Sequence, residues 1–176
     1  MDIVDRIKAE FPQLAQMMAN VPDTFAADWL EETAKAETGL SDFGAPSYRE
    51  PLERLCVSIN EDADLNAYGR LLFAAVIRNQ LGNRLLLERE RTENPARFAA
   101  DPVPPIIVTG LPRTGTTFLH RLLAADPAHA SLPYWQLNRP IPRDAADTPE
   151  KLMRSRYSAH YLKLVDYVVD TFGLPE

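Results

Sequence analysis

Cys56 is the only cysteine among the 176 residues, so no internal disulfide and no thiolate zinc cluster can form. Basic residues are also in deficit: 19 Lys and Arg stand against 25 Asp and Glu, which leaves a formal net charge of -6 and an isoelectric point near 5.1. That balance argues against a nucleic-acid partner, since displacing phosphate counterions takes an excess of clustered cations. Long hydrophobic runs are missing as well. The longest, Leu71 to Ile77 and Ile106 to Val108, are far too short to span a bilayer. Met1 to Glu10 alternates charge with isolated Ile and Val and offers no apolar stretch of a secretory signal. Internal repeats and low-complexity tracts are absent too. With 45% apolar residues, the expectation is a soluble globular protein with a real core, in a reducing, cytoplasmic setting. It is either one domain or one domain with a helical extension.

Helical spacing dominates the first hundred residues. Ile3, Ile7, Leu14 and Met18 recur at helical intervals around Pro12, which fits one kinked helix or two short ones. Asp23 is the expected cap of a helix that runs through Trp29 and Leu30 to Thr38-Gly39, and Ser41 to Ser47 is a loop. Glu50 to Arg91 is rich in helix formers, with a break near Glu61 to Asn66; Leu71 to Ile77 is apolar nearly all round, which predicts a buried second helix. Asn94-Pro95 and the prolines between Asp101 and Pro105 end the helical stretch and force an extended backbone. The expected division is a helical region over 1–100 and a second region over 101–176.

The second region opens with chemistry. Ile106, Ile107 and Val108 form a short β-branched run that suits a central strand of a parallel sheet buried on both faces. The loop from Gly110 to Thr117 follows at once, and then a helical pattern to Ala125 that stops at Asp126-Pro127. Two glycines spaced this way, Gly110 and Gly115, free the backbone so that successive N–H groups converge on one anion at a helix N-terminus. A common nucleoside-triphosphate loop places Lys directly before its last Ser or Thr. Here that position is Thr116, and the only cation of the loop is Arg113. Beyond it, Leu132 to Pro149 is expected to be a proline-rich connection with little regular structure. Tyr157, Tyr161, Leu164, Val165, Val168 and Phe172 then line one face of an amphipathic helix over 154–172.

Gly110-Leu111-Pro112-Arg113-Thr114-Gly115-Thr116-Thr117, preceded by Pro104-Pro105 and followed by Leu122-Leu123-Ala124-Ala125-Asp126-Pro127, resembles the 3'-phosphoadenosine 5'-phosphosulfate (PAPS) dependent sulfotransferases, in particular their bacterial branch. Asp42-Phe43-Gly44, Gly69-Arg70 and Asn83-Arg84-Leu85 look like the helical N-terminal region of that branch. The resemblance implies an α/β fold: a P-loop-like parallel sheet core, incomplete here, after a largely helical N-terminal region. It also implies sulfuryl transfer from PAPS to a hydroxyl or amine of a small-molecule acceptor, without a metal.

Under that resemblance Arg113 bonds the 5'-phosphosulfate and neutralises the bridging oxygen as the S–O bond breaks. Gly110, Thr114, Gly115, Thr116 and Thr117 hold the 5'-phosphate; for the threonines, helix capping is a compatible second role. Phe118 stands where animal cytosolic members carry a Trp on the adenine, and it serves equally well as a core aromatic. His120, one turn beyond Thr116, is a weaker candidate for the ligand than for packing. The general base is harder to place, because Trp135-Gln136 stands where the branch often has Trp-Glu, and a glutamine cannot accept a proton. His160, at the edge of the last helix's apolar face, is the candidate base, against a surface or core-edge histidine; His129 is a loop residue. The Arg and Ser that hold the 3'-phosphate in this family lie farther downstream than this sequence reaches. An N-terminal fragment or a truncated chain is therefore expected, with an apolar stripe that seeks self-association or the missing half. Two other classes remain: a magnesium-dependent phosphotransferase or nucleotide hydrolase with a variant loop, and a non-catalytic assembly module whose loop is a remnant.

Overall fold

The computed structural model describes residues 4–5, 9, 11–101, 103–111, 114–132 and 134–142. The chain divides into two compact units, Met1–Ala96 and Arg97–Glu176.

Among the described residues of the first unit, where Val4, Asp5 and Ala9 are also helical, the bounded helices are α1 (Pro12–Ala19), α2 (Ala27–Thr38), α3 (Arg49–Asp62) and α4 (Ala67–Glu93), with a 3-10 turn at Pro46–Tyr48. Pro12 starts α1 rather than kinking a longer helix; at the first helical position its missing N–H costs nothing. α2 ends where Gly39 turns left-handed at φ 70° and returns its N–H to the Lys35 carbonyl at 2.8 Å. Its start corrects the expected Asp23 cap. The N-cap is Ala26, and the Asp23 carboxylate instead pairs with Arg70 at 3.0 Å. Asn60 takes over the anchoring of this segment, accepting from the Phe25 N–H at 2.7 Å and donating to the Phe25 carbonyl at 2.9 Å. α3 and α4 are separated at the expected break, and Asn66 caps α4 by accepting from the Gly69 N–H at 2.8 Å.

The core forms where α2 packs along α4, with Leu30, Ala34, Ala74 and Leu85 all withdrawn from water and Phe25, Leu52, Cys56 and Ile59 closing round them. α4 is not buried all round, contrary to expectation. A helix shows its neighbour one stripe, here Leu71, Ala74 and Ile77 at successive turns, while Phe73 and Val76 on other faces remain 43% and 48% exposed.

The 41–48 segment is held by side chains. Asp42 accepts from the Gly44 N–H at 2.8 Å, and Gly44 sits at φ 67° against Glu88, whose carboxyl carbon would lie 2.5 Å from any added Cβ. From α4, Arg84 donates to the Phe43 carbonyl at 2.6 Å and to the Ala45 carbonyl at 2.7 Å, with its guanidinium 4.6 Å from the Tyr48 ring centre. Tyr48 in turn donates to the buried Glu31 carboxylate at 2.9 Å, and Arg49 pairs with its other oxygen at 2.8 Å. Asp42-Phe43-Gly44 and Asn83-Arg84-Leu85, far apart in sequence, are thus two sides of one clamp.

In the second unit, 103–110 has no regular secondary structure, and Ile106 and Ile107 are 63% and 78% exposed. This corrects the expected buried central strand: a strand exists only in a ladder, and among the described residues there is none for it to pair with. Among the described residues beyond it the helices are α5 (Thr116–Ala124) and α6 (Tyr134–Asn138). α6 corrects the expectation of an irregular connection over its five residues. The predicted helix over 154–172 lies outside the described residues.

Three outcomes follow from the clamp and the core. Arg84→Ala forfeits two charge-assisted hydrogen bonds and should cost about 2–3 kcal/mol in urea unfolding, with Arg84→Lys recovering part of it. Burial, aided by the hydrogen bond to Glu31, pushes the Tyr48 hydroxyl from 10.0 up to about 12. The folded state therefore favours the neutral phenol, a contribution intact below pH 10 and lost as pH rises to about 12. Tyr48→Phe should flatten the decline of stability across that window in denaturant melts at fixed pH. Burial also raises the Cys56 thiol. A thiol reagent should accordingly modify Cys56 slowly in the native chain and quickly in urea.

Candidate functional site

The candidate site is the backbone turn that leads into α5. Gly115 is its N-cap and lies in the left-handed region at φ 82°, which only glycine occupies without strain. From it the chain enters the helix directly, and the Leu119 N–H makes an intrahelical bond to the Gly115 carbonyl at 3.0 Å. The N–H groups of the first turn have no partner within the helix, and no side chain caps them. The compatible capping role foreseen for the threonines is thus not adopted, because the cap residue has no side chain. Those donors, with the positive end of the helix dipole, are available to an anion.

Gly110 has a different constraint. A Cβ at this position would stand 2.8 Å from the Thr114 hydroxyl oxygen and 3.0 Å from the Thr116 methyl, so the turn closes onto a bare Cα. Thr114 donates its hydroxyl proton to the Leu111 carbonyl at 2.7 Å. Thr116 is half-buried, and Thr117 is exposed at the start of α5. Close packing over Gly110 and the Thr114 to Leu111 bond were not read from the sequence. The available signal was a threonine three residues after a free carbonyl, where its side chain competes for local backbone bonds.

Of the other expected site residues, Phe118 is 73% exposed, so within the described residues it is not a core aromatic. His120 is exposed on α5. His129 is exposed and lies 3.6 Å from Asp126, which also accepts from the Ala128 N–H at 2.8 Å in the turn that ends α5. Gln136 is half-buried on α6. Arg113 and His160 lie outside the described residues. Among the described residues, no group of His, Cys, Asp and Glu could hold a metal ion, and no helix is long and apolar enough to cross a membrane.

The model of the sulfotransferase family matches residues 104–167, which begins at the approach to the loop. Among solved structures, the chain is similar to the sulfotransferase STF1 of Mycobacterium tuberculosis, with 36% identity, a TM-score of 0.65, and coverage of 80% of this chain and 40% of that one. It is also similar to the sulfotransferase STF9 of Mycobacterium avium, with 30% identity, a TM-score of 0.61, and coverage of 89% and 39%. The resemblance to the sulfotransferase family holds. The chain spans about two fifths of the length of each of these sulfotransferases. Curated relatives match over short stretches: 25 residues are 80% identical to a UPF0225 protein of Vibrio vulnificus, covering 14% of this chain and 15% of that protein. A further 53-residue match, 54% identical, is to a UPF0225 protein of Vibrio parahaemolyticus, covering 29% and 32%. The sulfotransferase matches, by contrast, take in most of the chain, and the family match includes the loop itself.

For the sulfotransferase-like turn, Gly115→Ala should cost about 1 kcal/mol through its left-handed backbone. The Leu119 amide, which bonds to the Gly115 carbonyl, should then exchange its hydrogen about fivefold faster.

Proposed function

We propose that this chain is the donor-binding N-terminal portion of a PAPS-dependent sulfotransferase acting on a hydroxyl or amine of a small-molecule acceptor. The observation that carries this reading is the uncapped first turn of α5, entered through the left-handed Gly115 within the segment that matches the sulfotransferase family. The 5'-phosphate end of the donor is taken by backbone N–H groups from Thr114 to Thr117, with the Thr116 and Thr117 hydroxyls beside them. Arg113 supplies the positive charge at the bridging oxygen. Phe118, exposed one step into α5, covers the adenine.

In the transfer, the acceptor oxygen or nitrogen attacks sulfur, and the bond from sulfur to the bridging oxygen breaks. 3'-Phosphoadenosine 5'-phosphate leaves with the electron pair, and the acceptor proton passes to a base, for which His160 is our candidate. Preorganised donors in such a loop act on charge that develops in the transition state. No metal is required in this scheme.

Residues 1–100 serve as a helical scaffold and 101–176 as the start of the transferase core, in a cytoplasmic setting. Exposure of Ile106, Ile107 and Leu122 supports the view that further sulfotransferase polypeptide, or self-association, covers this part.

Calorimetry with 3'-phosphoadenosine 5'-phosphate tests the assignment. Binding should be independent of magnesium and at least roughly tenfold weaker in Arg113→Ala, as the loss of a charged hydrogen bond predicts. Binding of ATP alone, and only with magnesium, would sink the proposal in favour of a phosphotransferase; binding of neither would overturn the donor-binding reading of this chain.

A further inference from the structure

Resting on the donor-loop reading above, we infer that Thr114 is a positioning residue. Its hydroxyl latches the turn onto the Leu111 carbonyl and sets the backbone path over Gly110 into α5, and it does not bond the bound anion.

A threonine hydroxyl has one proton to donate. In this loop the proton goes to the Leu111 carbonyl at 2.7 Å, a good length for such a bond. A phosphate or sulfate group offers only acceptors to the protein, so a hydroxyl already donating elsewhere has nothing to give it. The packing at Gly110 shows where that hydroxyl sits. A Cβ there would come within 2.8 Å of the same hydroxyl oxygen and within 3.0 Å of the Thr116 methyl. The Thr114 side chain is therefore folded back onto the start of its own turn. The latch bridges Leu111 and Thr114 and delivers the chain to Gly115, whose φ of 82° starts α5. Thr116 and Thr117 differ: no hydrogen bond to a neighbouring carbonyl occupies them in this way among the described contacts.

The test compares Thr114→Val, which keeps the shape and removes the proton, with Thr114→Ser, which keeps it. In the ligand-free chain, the Leu111 carbonyl-carbon and Gly115 amide resonances should move in Thr114→Val and return in Thr114→Ser. Affinity for 3'-phosphoadenosine 5'-phosphate should fall about tenfold in the valine variant and recover in the serine variant. Unmoved resonances in ligand-free Thr114→Val would overturn the latch, and a fall in affinity alongside them would mean direct contact between hydroxyl and ligand. Moved resonances with unchanged affinity would overturn the positioning role. If the unsubstituted chain binds no 3'-phosphoadenosine 5'-phosphate, the donor-loop reading fails and the positioning role with it, while the ligand-free resonances still decide whether the latch exists.

Discussion

The packing of α2 along α4 is the contact on which the helical unit depends. Leu30 and Ala34 from one helix and Ala74 and Leu85 from the other lose all exposure to water. A fully buried leucine contributes about 1.5–3 kcal/mol, and alanines between them let the helices approach closely. Once that seam is closed, the position of Arg84 on α4 follows, and with it the 41–48 segment. Glu31, on α2, is carried into a half-apolar setting where a lone carboxylate would be costly. Tyr48 and Arg49 meet it there, and so the start of α3 is tied to the middle of α2. The polar groups of this unit tie the 41–48 segment and the start of α3 to the packed pair of helices.

What was legible in the residues tracks the range of the forces involved. Local rules were enough for the end of α2 at Gly39, the break before Ala67 and the stop of α5 at Asp126, since each depends on a glycine, a cap or a proline within a few positions. Longer-range competition was not legible. Asp23 has the chemistry of a cap, but Arg70, 47 residues away, claims its carboxylate. Leu71 to Ile77 has the composition of a buried helix, yet burial is set by how many neighbours surround it, and only one stripe found them. Ile106-Ile107-Val108 has strand chemistry, but a strand is a property of a pair of segments, and no segment among the described residues pairs with it.

The loop shows the same division at smaller scale. Its spacing and the cation at Arg113 were readable, because both are properties of order along the chain. Gly110 was read as backbone freedom for an anion, and the structure adds a close approach that an added methyl would crowd. These are separate uses of glycine. Gly115 needs its conformation and Gly110 needs its emptiness, and only coordinates distinguish them.

A loop that binds an anion through backbone donors must prevent those donors from finding partners of its own. Capping side chains would satisfy the first turn of α5 and close the site, which is the usual fate of a helix start. A glycine at the cap removes that competitor, because it carries no side-chain acceptor. The turn is exposed at Thr114, Gly115 and Thr117, so its donors face solvent. Lysine at the Thr116 position would add charge at the helix itself, as in loops built for a triphosphate held with a metal. In this sequence the cation stands three residues earlier, at Arg113, an order that in the proposed reading would suit a donor whose reacting bond lies beyond its phosphate.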